Sequence, residues 1–201
     1  EVVVLSNPVH LSAQPSAQAE DESRSGIAFV GRLAPEKGLR EFLLQVEALG
    51  VKETLDVYGD GPERQSFQEL ADSFRHLSVA FHGRLPSVEL QRRLTQKKVL
   101  AFPSRWAENA PLAILEAASA GLQIVAPKQG GVLSMSEKIA RADLYDLDDS
   151  QTLLGALSAA LAAERPNRVL NPSEFSVEHY GRGIEEIYAL DRARSPRGDA
   201  S

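Results

Sequence analysis

Cysteine is absent from the 201 residues, which excludes disulfides, thiolate metal sites and cysteine nucleophiles. Histidine is scarce. The four, at positions 10, 76, 82 and 179, form neither an HxH nor an HExxH spacing, so no metal site is expected. A GxxxxGK[ST] phosphate loop is missing. No apolar run approaches the roughly 20 residues that span a bilayer, so no transmembrane segment is expected. Positive charge is in deficit, with 22 Lys and Arg against 28 Asp and Glu and a net charge of −6. That is the wrong sign for a general nucleic-acid binder, so no nucleic-acid partner is expected. An anionic ligand would need locally placed cations instead. Methionine occurs once, at Met135, and none opens the chain. The opening Glu1-Val2-Val3-Val4-Leu5 reads as a strand with no signal pattern ahead of it, as expected of a piece excised from a larger protein or of a processed product. The lack of cysteine fits a cytoplasmic setting.

What is present is ordinary globular material. The chain is 43% hydrophobic and 25% charged, enough to fold as one sizeable domain rather than remain disordered. Residues 1–11 read as a strand and interdomain segment. Residues 12–25 (SAQPSAQAEDES and RS) read as a flexible acidic linker or loop, and 194–201 as a disordered tail. Between them, residues 26–193 alternate between two periods. Strands are expected at Gly26–Leu33, Thr54–Tyr58, Leu77–His82, Val99–Pro103 and Gln123–Ala126, with a weaker one near Leu144–Leu147. Leu39, Phe42, Leu43, Val46 and Leu49 recur at helical spacing after the first strand, and Phe67, Leu70, Ala71 and Phe74 after the second. Further helices are expected at Ser87–Gln96, Leu112–Ala120, Ser150–Ala163 and about Ser176–Arg192. This alternation predicts an α/β fold, a doubly wound, Rossmann-like parallel sheet, whose ligands sit beyond the carboxyl ends of the strands.

The residues just after each strand carry the chemistry. Gly31 permits a tight turn and close backbone approach, and Arg32 and Lys37 flank it. Two cations near a helix start suit a phosphate group, although a solvated loop with surface charge would look the same. Gly59-Asp60-Gly61-Pro62 is turn chemistry ahead of a helix. In Phe81-His82-Gly83-Arg84-Leu85-Pro86 a flat base could lie against the loop, and His82 reads as an ordinary loop histidine. Glu116 is the odd residue, a carboxylate in a helix of small and apolar side chains expected to be mostly buried. Such a group needs donors, from a ligand's hydroxyls or from its neighbours. Glu108 and Asn109 lie at that helix's entrance, where capping acids are common.

Taken in order, GRLxxEKG, YGDGP, FHGRLP and the two glutamates of WAENAPLAILEAASAG resemble the C-terminal, donor-binding half of GT-B glycosyltransferases, and specifically the large retaining family 4. Gly130-Gly131 resembles the family's following glycine turn. The stretch from Phe175 to Tyr188 resembles its closing helix, and Asn7-Pro8 its interdomain turn. The resemblance implies catalytic roles for Arg32, Lys37 and Glu108: the two cations grip the donor diphosphate and Glu108 meets hydroxyls of the transferred sugar. It implies that Glu116 bonds the ribose and that the Arg84-Leu85 backbone meets the base. The backbone of Asn109, Ala110, Pro111 and Leu112, with Gly31, would lie along the sugar and phosphates. Where the family often has Glu-Gly-Phe-Gly, this chain has Glu108-Asn109-Ala110-Pro111, so the likeness is closer on the phosphate side.

The implied activity is sugar transfer from a UDP-, GDP- or similar donor with retention, with no metal or other cofactor. The partner would be an N-terminal Rossmann-like acceptor domain missing from this chain, without which the piece is expected to be inactive or nearly so. The setting would be cytoplasmic, or the inner membrane face through that missing domain. A non-catalytic nucleotide-sugar module working with a separate chain, or a ligand-free interaction domain, are the competing readings.

Overall fold

The alternation of periods is realised strand by strand. In the computed structural model, residues 7–9, 11 and 24–194 are described. The expected opening strand, most of the acidic linker and the tail after Arg194 lie outside the described residues. Six strands form, at Ile27–Val30 (β1), Thr54–Tyr58 (β2), Ser78–Gly83 (β3), Val99–Ala101 (β4), Gln123–Pro127 (β5) and Asp143–Tyr145 (β6). Helices lie at Leu39–Ala48 (α1), Arg64–Ala71 (α2), Ser87–Leu94 (α3), Leu112–Ser119 (α4), Gly131–Ser136 (α5), Ser150–Leu161 (α6) and Val177–Arg194 (α7).

All five pairings are parallel, and the strand order is β3-β2-β1-β4-β5-β6. This is the doubly wound, Rossmann-like α/β fold. The connections run one way from β1 and the other way from β4, so the crevice for a ligand opens above these two neighbours. Their registers put Ile27 beside Val99 and Ala28 beside Leu100.

Strand alternation decides which helices cover which face. Ile27, Phe29, Leu55, Val57, Val99, Ala101 and Val125 form one buried cluster with Phe42, Leu43 and Val46 of α1, Phe67 of α2, and Leu153 and Leu157 of α6. Right-handed crossovers put α3 and α4 on the other face. There Tyr58 feels the charges of Glu89 and Arg93 from α3, while burial pushes its phenol up to about 12. At 3–12 residues the strands and core helices are short, and they hold by packing two faces of one sheet rather than by propensity.

The described residues divide into two units, one within 11–170 and one combining 7–9 with 171–194. In the second unit a 3₁₀ turn at Pro172–Phe175 precedes α7, and Val9 N–H donates to Phe175 O at 2.9 Å. Among the described residues no helix is long and apolar enough to cross a membrane.

Candidate active site at the switch point

β1 ends at Val30 because Gly31 and Arg32 leave the sheet toward a 3₁₀ turn at Pro35–Lys37. Proline at its start fits, since a helical first turn has no use for that N–H. Gly38 then caps α1 with φ 65°. Lys37 is thus one residue ahead of the capping glycine rather than inside the helix. The neighbouring turn comes from β2. A Cβ on Gly59, where φ is 140°, would collide with the Gly31 carbonyl, so the two strand ends can pack only because glycine is there.

On the other side of the crevice β4 ends at Ala101, and residues 102–111 run as an irregular loop into α4. That loop is stitched to the first one. Arg105 N–H donates to Glu36 O at 2.9 Å, and Lys37 Nζ donates to Glu108 Oε1 at 2.6 Å. Ser104 is only 2% exposed, and its hydroxyl donates to the same Glu108 oxygen at 3.0 Å. Arg32 pairs with Glu36. Both expected phosphate cations therefore already touch a carboxylate. Each keeps donors in reserve, since an ammonium has three and a guanidinium five.

Behind the loop, Gly131 N–H donates to Glu108 O at 2.6 Å, and a Cβ on Gly131 would strike Asn109 O. Gln129 Nε2 donates to Ser104 O at 2.6 Å. The glycine turn after β5 thus supports the backbone carrying Glu108 and Asn109.

Three cavities open around Arg32. One of about 410 Å³ is lined by Gly31, Arg32, Lys37, Ser104, Glu108 and the start of α4 from Ala110 to Ala113. A second of about 190 Å³ lies between Gly31, Arg32, Tyr58, Asp60, Arg84 and Leu85. The third, about 530 Å³, is bounded by Arg32, Glu36, Lys37, Trp106, Glu108 and Asn109. The structure so gathers Gly31, Arg32, Lys37, Arg84, Leu85, Glu108, Asn109, Ala110, Pro111 and Leu112 around one crevice. Glu116 is outside these three cavities. It is half-buried, on the same side of α4 as Leu112 and Ala113, while Ile114, Leu115, Ala117 and Ala118 are buried. Its helix buries only one face, so the carboxylate is not forced into the core.

His82 lies within β3 rather than in a loop. Its Nε2 meets Asp56 Oδ1 at 2.8 Å and its ring stacks on Tyr58 with centroids 5.0 Å apart, next to the second cavity. Burial pushes the Asp56 carboxyl up, but His82 and Lys97 outweigh it and hold it below the usual range. Among the described residues no three His, Asp or Glu side chains are grouped to hold a metal ion.

The sequence family described as "Glycosyl transferases group 1" matches residues 12–174. The chain belongs to this family. As a group 1 glycosyl transferase it is 32% identical over 164 residues to a 2-deoxystreptamine glucosyltransferase of Streptomyces kanamyceticus, covering 76% of this chain and 42% of that protein. It is 33% identical over 106 residues to a sulfoquinovosyl transferase of Arabidopsis thaliana, covering 53% and 20%. The chain spans less than half the length of these relatives. Among solved structures, a lipopolysaccharide outer core galactosyltransferase in apo form aligns with TM-score 0.69 at 19% identity over 94% of this chain and 56% of that one. An Anabaena protein in complex with UDP and glucose aligns with TM-score 0.59 at 20% identity over 84% and 49%. These likenesses show the GT-B type of Rossmann-like fold.

Sequence reasoning missed three residues of this group 1 domain's crevice. Ser104 is the buried hydroxyl that holds Glu108, Glu36 is the partner of Arg32, and Trp106 lines the third cavity. Ser104 and Glu36 look like loop polarity in one dimension. The signal available was Ser directly after a buried strand, four residues ahead of the first glutamate.

Proposed function

We propose that this group 1 domain binds the nucleotide-sugar donor of a retaining glycosyltransferase and forms the C-terminal half of a family 4, GT-B enzyme. The observation that carries the reading is the Lys37–Glu108 pair, which joins the β1 and β4 loops over the switch point with Arg32 in the same 410 Å³ cavity. The donor diphosphate lies against Arg32, Lys37 and the Gly31 backbone. As the glycosidic bond breaks, the leaving diphosphate gains negative charge, and these two cations, already held by Glu36 and Glu108, stabilise it without reorganising. The grouping of cations where a metal would otherwise be needed supports a metal-independent reaction.

The remaining assignments follow the resemblance, and the cavities support all of them except that of Glu116. The base rests on the Arg84-Leu85 backbone in the smaller cavity, beside Tyr58. Glu116, farther along α4, takes the ribose hydroxyls. Glu108 and the backbone of Asn109, Ala110, Pro111 and Leu112 meet the transferred sugar. The acceptor is brought by an upstream Rossmann-like domain that faces this crevice, with the reaction run in the cytoplasm or at the inner membrane face.

Saturation-transfer NMR on the 201-residue chain with UDP-, GDP- and ADP-sugars tests the reading. Contacts to base, ribose and sugar protons of one donor, displaced by its nucleoside diphosphate, are expected. No contact with any nucleotide sugar would remove it.

A further inference from the structure

The chain has one tryptophan, and its side chain stands in water: Trp106 is 68% exposed. An aromatic side chain of that size buries 150–250 Å² when covered, so leaving it open forfeits its largest contribution to folding. The exposure is not slackness of the loop. Trp106 O accepts from Glu108 N–H at 2.9 Å, and the preceding Arg105 N–H is bonded to Glu36 O at 2.9 Å. The backbone is pinned on both sides while the indole is held out. Among the described residues the indole N–H has no acceptor and the ring stacks on no other ring.

Its surroundings say what would cover it. The 530 Å³ cavity that Trp106 bounds is otherwise lined by Arg32, Glu36, Lys37, Glu108 and Asn109, all charged or amide side chains. In both acids Oε1 is taken, by Arg32 and by Lys37, and each carboxylate keeps further acceptor positions on its second oxygen. An apolar protein surface laid here would strand these groups without water. A ligand with one apolar face and a rim of hydroxyls would satisfy every one of them. We propose that Trp106 is a stacking platform for a pyranose ring, whose C–H face lies on the indole while its hydroxyls donate to Glu36, Glu108 and the Asn109 carbonyl. This rests on the nucleotide-sugar reading above. The ring is either the donor's sugar or the acceptor's.

Because Trp106 is the sole tryptophan, emission excited at the red edge of indole absorption, where the tyrosines do not absorb, reports on this position alone. Nucleotide binding is first measured by calorimetry with UDP, GDP and ADP. Emission is then followed with the matching nucleoside, with nucleotide sugars, and with methyl α-glucoside, α-mannoside and α-galactoside, with and without saturating nucleotide. Sugars are expected to shift the emission to the blue and the nucleoside to leave it unchanged. A response to nucleotide sugar alone assigns the donor's ring, and a response to a methyl glycoside assigns the acceptor's. Trp106→Ala is expected to weaken the sugar-dependent part of binding about tenfold, with Trp106→Phe partly restoring it and bare diphosphate affinity within about twofold of wild type. Emission indifferent to every sugar while nucleotide binds, or a shift with nucleoside alone, would overturn the proposal. Absence of nucleotide binding would remove the functional reading instead, and the glycosides added alone would still decide Trp106.

Discussion

Lys37 and Glu108 meet at 2.6 Å across 71 residues of sequence, and the pair lets the two glutamates be tested separately. Glu108 sits beside Lys37, and Glu116 lies about one turn into α4. Glu108→Gln is expected to weaken nucleotide-sugar binding about tenfold, the loss of a charged hydrogen bond, and to leave the bare diphosphate unchanged or tighter because Lys37 is released. Glu116→Gln is expected to weaken a ribonucleotide but not its 2′,3′-dideoxy counterpart. Titrations that fall in parallel for both nucleotides would mean Glu116 does not meet the ribose. The residue types of this site were legible in sequence because each follows a strand, and the doubly wound fold gathers strand ends. Their pairings were not. Which cation meets which acid depends on a loop of irregular backbone, and no periodicity reports that.

Among the elements, α5 shows where pattern reading fails. It spans six residues, begins at a glycine and buries only Val132 and Met135, so it offers too few turns for a helical repeat to show. Yet its first residue supports the Glu108 loop. Gly131→Ala is expected to displace Asn109, weakening nucleotide-sugar binding by an order of magnitude or more while the melting temperature moves little; a variant that binds as wild type would show that the loop tolerates the shift. The strands, by contrast, were legible to within a few residues, because runs such as Thr54–Tyr58 end in turns that cannot continue a sheet.

A second element-scale prediction concerns α1. Burial pushes the Glu47 carboxyl up, but backbone N–H groups of Arg75, Leu77 and His76 outweigh it and hold the group at about 2 against an ordinary 4.5. A depressed folded value means the tie between α1 and the turn before β3 is fully formed above about pH 4.5 and is lost as pH falls toward 2. Thermal unfolding followed by circular dichroism should show a melting temperature falling through that window, and Glu47→Gln should be less stable at pH 7 and flatter in acid. An identical acid slope in the variant would count against the linkage.

At the scale of the molecule, the six-stranded sheet carries the crevice at its switch point, and the chain spans less than half the length of its curated relatives. The fold class was legible because strand–helix alternation at this pitch leaves few topologies open. The gap between α6 and α7 was legible too, because Pro166 and Pro172 interrupt the helical pattern between Ser150–Ala163 and Ser176–Arg192. In the proposed enzyme an upstream domain forms the other wall of the crevice, and without it an acceptor would be neither oriented nor shielded from water. The chain alone is expected to show no appreciable transfer in a radiolabelled-donor assay, and transfer should rise when the parent's upstream domain is added in trans. Efficient transfer by the chain alone would contradict the half-site account. The central claim, that Arg32 and Lys37 hold a diphosphate at the switch point without a metal, is tested most directly by calorimetry of the whole chain with nucleoside diphosphate and nucleoside in excess chelator. The account predicts saturable binding of one diphosphate, weakened by roughly 10- to 100-fold in Arg32→Ala and in Lys37→Ala with nucleoside affinity nearly unchanged. Binding that needs a divalent ion, or equal losses for diphosphate and nucleoside, would contradict it.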